Sequence, residues 1–462
     1  MPQPDSTSPD AAASPGAADF ALAPPPHAHL WPDSARVDAA GRLLLDGMLA
    51  SELVQRFSSP LYVYDEATLR GQMRAFRAAL AQRWPESVVA YAGKAYLSPA
   101  LCRLLLEEGL ELDAVSAGEV GLAVRAGYPA QRIHLHGNFK PDAELDFALA
   151  AGEGGVGRVV VDSLDELERL AALGQARGRP IAIWLRINPD VPTETHTSIQ
   201  TGHADTKFGL DLASGAVAEA ARRAAAAPGL ALVGLHAHAG SNIFDSAPVA
   251  QVTRILAELA ASLRESHGLT ISEISPGGGV GVAYTPEQRA LAPDDYAEAI
   301  AASLRASCER LRLAPPRLIV EPGRAIVARA GVALYTTGPR KVTPHAIFVA
   351  VDGGMGDNPR PALYDARYHA ALADRVISPP SETVQVVGRY CESGDVLVRA
   401  AALPEARPGE TLAIPVSGAY HLPMASQYNL APRPAVVFTA DGQARLVRRR
   451  ETLDDLTRLD VW

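Results

Sequence analysis

Four short segments carry residue types that could do chemistry together. The apolar run VVAYAGKAY ends on Lys94. A lysine there is costly to bury as a cation, which favours the neutral amine that forms Schiff bases. A strand-end lysine reaching solvent is the plainer alternative. LHAHAGS sets His236 and His238 two residues apart, on one side of a strand. They could bind a metal, although no third ligand stands at a matching spacing. They could also stack on an aromatic cofactor or simply fill the core. EISPGGG joins Gly277, Gly278 and Gly279. Such a run lets backbone N–H groups approach an anion closely, or makes a tight turn. LIVEPGR ends on Glu321. A buried carboxylate needs a partner, which Arg324 or a protonated pyridine nitrogen would supply.

Taken together, these groups suit pyridoxal 5'-phosphate (PLP). Lysine forms the Schiff base, glycine amides hold the phosphate, and histidine packs on the ring. Glutamate keeps the pyridine nitrogen protonated, so that the ring acts as an electron sink.

For these groups to converge, the chain must bring distant strand ends to one place. Eight apolar, β-rich runs recur between 88 and 323: 88–95, 110–116, 133–137, 158–163, 181–189, 231–240, 273–279 and 317–323. Ala- and Leu-rich helical stretches separate most of them, most clearly 99–108 and 246–267. Runs this apolar suit parallel strands buried on both faces, and eight β-α units predict a closed (β/α)8 TIM-like barrel. Chemistry then sits at the C-terminal strand ends, which carry Lys94, Ser116, His136, Asp162, Arg186, His236, His238, Gly277–Gly279 and Glu321–Arg324. After 331, short Val, Ile and Thr runs broken by Pro and Gly predict a second, all-β C-terminal domain. The expected division is a disordered tail over 1–33, a segment over 34–57 that contributes to the β domain, a cofactor-binding barrel over 58–330 and the β domain over 331–462. The loop 193–209 lies between strands, where it could close over the site.

Bulk properties narrow the class. A chain of 462 residues that is 48% hydrophobic can bury a large core, and its net charge of -9 with no basic stripe argues against nucleic acid as a partner. Three cysteines without a CxxC pair (Cys102, Cys308, Cys391) suggest neither disulfides nor a zinc site, and point to a reducing, cytoplasmic setting. No apolar run is long enough to span a bilayer, and the N-terminus lacks the features of a secretory or transit peptide.

From about residue 35 onward the chain resembles the fold-type III PLP-dependent decarboxylases, and within them the diaminopimelate decarboxylases. The resemblance rests on ordered segments including YAGKA, LDAVSAGE, HGNFK, TGHADTKFGL, GLHAHAGSNI, GGGVG, EPGRAIVARAG, VDGGMGDNPRPALYDA, CESGD and SGAYHLPMASQYNLAPRP. It implies an alanine racemase-like architecture working as a head-to-tail homodimer. It implies Lys94 as the Schiff-base lysine and His238 as the ring-stacking histidine. Phosphate contacts would come from Ser241 and Gly277–Gly279, with Gly323 of EPGR also at the cofactor. Glu321 would meet the pyridine nitrogen and Arg324 the substrate. Arg360 and Tyr364 in RPALY would hold the substrate's distal carboxylate. From the other subunit, Cys391 would donate a proton and Glu392 would meet the distal end, while Tyr428 would touch cofactor and substrate. The implied reaction converts meso-2,6-diaminopimelate to L-lysine and CO2. A decarboxylase of another basic or dicarboxylic amino acid, a racemase of the same barrel type and a catalytically silent PLP-binding protein remain as alternatives. Arg360 disfavours substrates without a distal carboxylate, and Glu321 disfavours the racemase.

Overall fold

The eight apolar runs fold as eight parallel strands that close into a barrel in the computed structural model, which describes residues 22–191 and 207–461. In chain order they are β1 (Ser87–Ala92), β2 (Glu111–Ala114), β3 (Ile133–Leu135), β4 (Arg158–Val161), β5 (Ile181–Asn188), β6 (Leu230–Ala237), β7 (Glu273–Ser275) and β8 (Arg317–Val320). Neighbours pair in sequence order. Closure is by β8 on β1, with Leu318 opposite Ser87 and Val320 opposite Val89. Ala90, Val160, Trp184 and Ile319 cluster inside, as in a barrel filled by side chains rather than left as a pore.

Local sequence starts the helices that follow the strands. The hydroxyls of Ser98, Ser116 and Ser163 accept from backbone N–H groups three residues on, at 3.2, 3.2 and 3.3 Å. In SAGE and SLDE, Glu119 and Glu166 reach back to the N–H groups of Val115 and Asp162 at 2.7 and 2.8 Å, close to a capping box. Ser116, read above as a strand-end candidate, thus uses its hydroxyl as a helix cap.

The second domain is built on a mostly antiparallel sheet whose spine is Gly331–Val342. That strand pairs with Ile347–Val351, Leu61–Asp65 and Thr411–Ile414. Two N-terminal expectations change. Residues 22–33, which composition assigns to a disordered tail, are ordered. Ala23 bridges Val37, Leu30 and Trp31 are fully buried, and Trp31 donates to the Pro26 carbonyl at 3.1 Å. Burial of Leu30 and Trp31 anchors the segment, and its prolines, already fixed in φ, reduce the entropy lost on ordering. Residues 1–21 lie outside the described residues. Secondly, the strand that joins the sheet from this end is Leu61–Asp65, inside the stretch assigned to the barrel. All five of its residues are buried, which fits a central position between Gly331–Val342 and Ala435–Ala440. Residues 34–57 instead form a separate three-stranded sheet and a helix, Ala50–Phe57, that packs on the β domain.

The loop over 193–209 falls outside the described residues as far as 206. Its return is anchored: Leu210 and Asp211 pair with the end of β5, and the Gly209 N–H donates to Asp162 at 2.9 Å.

Candidate active site

The C-terminal strand ends open into a cavity of about 550 Å³. The barrel contributes Lys94, His238, Ser241, Gly279, Glu321, Gly323 and Arg324 to its wall, and the β domain contributes Arg360 and Tyr364. Residues up to 270 positions apart in the chain thus meet at one mouth.

Lys94 projects from a short turn, Gly93–Ala95, that follows β1 and is tied to the β domain by the Tyr420 N–H on the Ala95 carbonyl at 2.8 Å. The side chain is exposed in the cavity, which corrects the expectation of a buried amine: β1 ends before Lys94, and the turn swings it into open space. The chain has four lysines, at 94, 140, 207 and 341. Of these, Lys94 lines the cavity. Lys140 is buried, 2.8 Å from Glu166 and bonded to the carbonyls of Gly137 and Val160.

Glu321 forms one wall. Its carboxylate accepts from Ser275 at 2.8 Å and lies 2.9 Å from His236 Nε2 and 3.7 Å from His136 Nε2. Burial alone would raise its pKa, but the two histidines and the two hydrogen bonds hold it well below the usual carboxylate range. Asp113 behaves oppositely: burial, and then the charge of Glu321, push it well above. Burial lowers the His136 imidazole well below its ordinary pKa, against the pull of the Glu321 charge. Asp113 Oδ1 and His136 Nε2 are buried 3.5 Å apart, and neither makes a hydrogen bond among the described residues. His136, His236 and Glu321 come from three strands and bring polar atoms within 4.8 Å of one another, a grouping that the spacing of His236 and His238 alone could not reveal. Asp113, internal to its run, carried no signal of this role.

Beside Glu321 lies the glycine turn, whose Gly277 carbonyl accepts from the Glu321 N–H at 2.9 Å. Gly277 and Gly279 have φ of +81° and +92°, and a Cβ on Gly278 or Gly279 would come within 2.0 or 2.3 Å of a backbone carbonyl oxygen. Only glycine fits there. The Gly278 N–H donates to His238 Nδ1 at 3.3 Å, so the neutral ring carries its proton on Nε2. Burial, followed by the charges of Lys94 and Arg186, holds that ring neutral.

These residues fit PLP. The cavity offers an amine, a wall of buried polar atoms awaiting a partner, a glycine cradle beside the Ser241 hydroxyl, and an imidazole on its lining. Gly277 and Gly278 are buried behind the wall that Gly279 joins.

Two guanidinium groups complete the site. Arg324 donates to Tyr284 at 2.6 Å and to Ser241 at 3.0 Å. Arg360 donates to the Tyr368 hydroxyl, and its guanidinium carbon sits 4.9 Å from the Tyr284 ring centroid. Both arginines are buried, and neither has a carboxylate partner among the described residues. Tyr284 and Tyr368, which sequence reasoning missed, take the place of the missing acids. Cys391, Glu392 and Tyr428 do not line this cavity. They lie together on the surface, with the Tyr390 and Tyr428 rings 5.7 Å apart and the Cys391 N–H donating to Asn429 at 3.3 Å. Tyr428, expected at the cofactor, is carried outward by the turn Tyr428–Leu430, in which Asn429 has φ of +52°.

Residues 66–328 match the model of the "Pyridoxal-dependent decarboxylase, pyridoxal binding domain" family. The chain is 46% identical to a diaminopimelate decarboxylase of Actinosynnema pretiosum subsp. auranticum, over 94% of this chain and 95% of the relative. The chain belongs to the diaminopimelate decarboxylase family. The enzyme of that name from Bacillus subtilis is 41% identical, over 93% and 97% of the two chains. A crystal structure of diaminopimelate decarboxylase from M. jannaschii in complex with L-lysine superposes with a TM-score of 0.86 at 34% identity, covering 93% of this chain and 98% of that one. Diaminopimelate decarboxylases of this family are PLP-dependent carboxy-lyases, and the barrel, the β domain and the lysine-bearing cavity agree with that membership.

Proposed function

We propose that this protein decarboxylates meso-2,6-diaminopimelate to L-lysine, the last step of lysine biosynthesis, at the cavity around Lys94. The observation that carries the reading is Arg360, a buried guanidinium that has no acidic partner among the described residues and lines the same cavity as Lys94. A site built in this way wants a carboxylate at the end of the substrate remote from the reacting carbon.

When bound, PLP supplies the electron sink for the electron pair left by departing CO2. Lys94 provides the amine that holds it. Glu321, kept ionised by its histidine and serine contacts, holds a proton at the pyridine nitrogen. Ser241 and Gly279 would hold the phosphate, with Gly277 and Gly278, whose N–H groups go to Ser275 and His238 at 3.3 Å, shaping the turn behind them; His238 would pack on the ring and Gly323 would leave room for it. Arg324 orients the substrate, while Arg360 and Tyr364 grip its distal carboxylate. Cys391 of a second copy protonates the carbon that has lost CO2, Glu392 of that copy meets the distal amine, and Tyr428 adds a contact. This part of the reading requires a homodimer, which is supported by the exposure of Cys391 beside Tyr428 and Leu430, 39% and 65% exposed. Free thiols at all three cysteines favour the cytoplasm, and no helix among the described residues is long and apolar enough to cross a membrane.

The test is CO2 release by the PLP-loaded protein offered meso-diaminopimelate, L-lysine, D-lysine and L-ornithine separately, with Arg360→Ala alongside. Turnover of meso-diaminopimelate is expected, falling at least about a hundredfold in the variant, the size of losing a buried charged contact. Preferential turnover of a monocarboxylate would sink the substrate assignment while keeping the chemistry.

A further inference from the structure

Arg360 leaves a helix of only five residues, Arg360–Tyr364, whose Ala362 and Leu363 are exposed. Such a helix does not by itself fix a long side chain. What lies behind the guanidinium does. Arg360 Nη1 donates to the Tyr368 hydroxyl, which lies 2.8 Å from His421 Nε2. His421 Nδ1 is 3.1 Å from the Tyr62 hydroxyl, which donates to Asp357 at 3.0 Å. Tyr335 donates to the same Asp357 oxygen at 2.5 Å, and the Gly354 N–H donates to the other at 2.9 Å. Every member of the chain is buried, with Tyr62 and His421 fully so.

The direction of these bonds is determined. A guanidinium can only donate, so Tyr368 receives there and must give its single proton to His421 Nε2. Neutral His421 then carries its proton on Nδ1 and passes it to Tyr62, which gives its own to the carboxylate. Arginine stands at one end and aspartate at the other, with three neutral groups between them. Tyr62 and Tyr335 belong to the two adjacent central strands of the β domain, so the guanidinium is referenced to that sheet and not to its own short helix.

We propose that Tyr368 and His421 are positioning residues that, through Tyr62 and Asp357, hold Arg360 in the orientation that receives the substrate's distal carboxylate. They set selectivity for a substrate carrying that group without touching it. This rests on the reading of Arg360 given above.

The experiment compares binding of L-lysine, which retains the distal carboxylate, with binding of cadaverine, which lacks it. Calorimetry on the PLP-loaded enzyme reads both, with melting temperature and the visible absorbance of the bound cofactor as controls. Wild type should prefer lysine. Tyr368→Phe and His421→Phe should each lose about tenfold or more in lysine affinity, with cadaverine affinity and absorbance unchanged. His421→Gln, whose amide can accept from Tyr368 and donate to Tyr62, should recover much of the loss. Tyr62→Phe should show the same split at smaller size. Retention of lysine preference in the phenylalanine variants would overturn the proposal, and so would equal losses for both ligands. If wild type and Arg360→Ala show the same lysine-to-cadaverine ratio, the reading of Arg360 itself fails and the proposal falls with it.

Discussion

The two ends of the barrel are built from the same residue types at a spacing of two, yet they have opposite fates. At the N-terminal end, Glu111 of β2 lies 2.7 Å from both His134 and Arg317, and Glu273 of β7 binds Arg158 at 2.6 and 2.7 Å and Trp184 at 2.7 Å. One layer up on the same strands stand Asp113, His136 and Arg186, joined by His236. There Asp113 Oδ1, His136 Nε2 and His236 Nδ1 make no hydrogen bond among the described residues. His134 Nδ1 aside, the lower layer is satisfied and the upper one is not. The charges follow the geometry. Burial opposes ionisation of Glu111, but the bond and charge of His134, with Arg317, bring it down to about 2, whereas burial and Glu321 push Asp113 up. The lower layer holds the barrel together, and the upper layer is arranged for a guest.

That contrast can be broken from either side. Glu273→Ala leaves Arg158 and Trp184 without their acceptor. It should cost about 3–5 kcal/mol by urea denaturation while leaving kcat within about twofold. A large fall in kcat at unchanged stability would erase the distinction between the ends. Glu111→Gln should cost about 2–3 kcal/mol at neutral pH. The folded protein binds this proton less tightly than the unfolded chain. The contribution is therefore present above the ordinary glutamate range and lost as pH falls toward about 2. Variant and wild type should then converge in acid. Asp113→Asn has the opposite sign. Its folded-state pKa is raised, so wild type is penalised as pH rises through the ordinary aspartate range and beyond. The variant should be more stable by about 1 kcal/mol at neutral pH and equal in acid. Parallel pH profiles for the two variants would contradict the account.

The barrel was legible because parallel strands buried on both faces leave continuous apolar runs, and a polar residue ending such a run is conspicuous. Lys94, His238 and Glu321 were visible for that reason. Asp113 was not, because it sits within its run and acquires meaning only beside Glu321, 208 positions away. The chain from Arg360 to Asp357 was equally hidden, since Tyr62, Tyr368 and His421 are ordinary-looking residues joined only by the fold. Leu61–Asp65 looks like any buried strand, and its membership of the second sheet is decided by partners some 270 and 370 positions later. The order of residues 22–33 depends on where Leu30 and Trp31 find a core. Lys94 stands out in the sequence as an amine ending an apolar run, but its exposure depends on a turn that the run conceals.

The most direct measurement is to reduce the PLP-loaded protein with borohydride and to locate the added mass by peptide mapping. The cofactor is expected on the peptide containing Lys94 and on none carrying Lys140, Lys207 or Lys341. Modification at one of those three in place of Lys94, or no stable attachment at all, would contradict the placement of the active site at the mouth of this barrel.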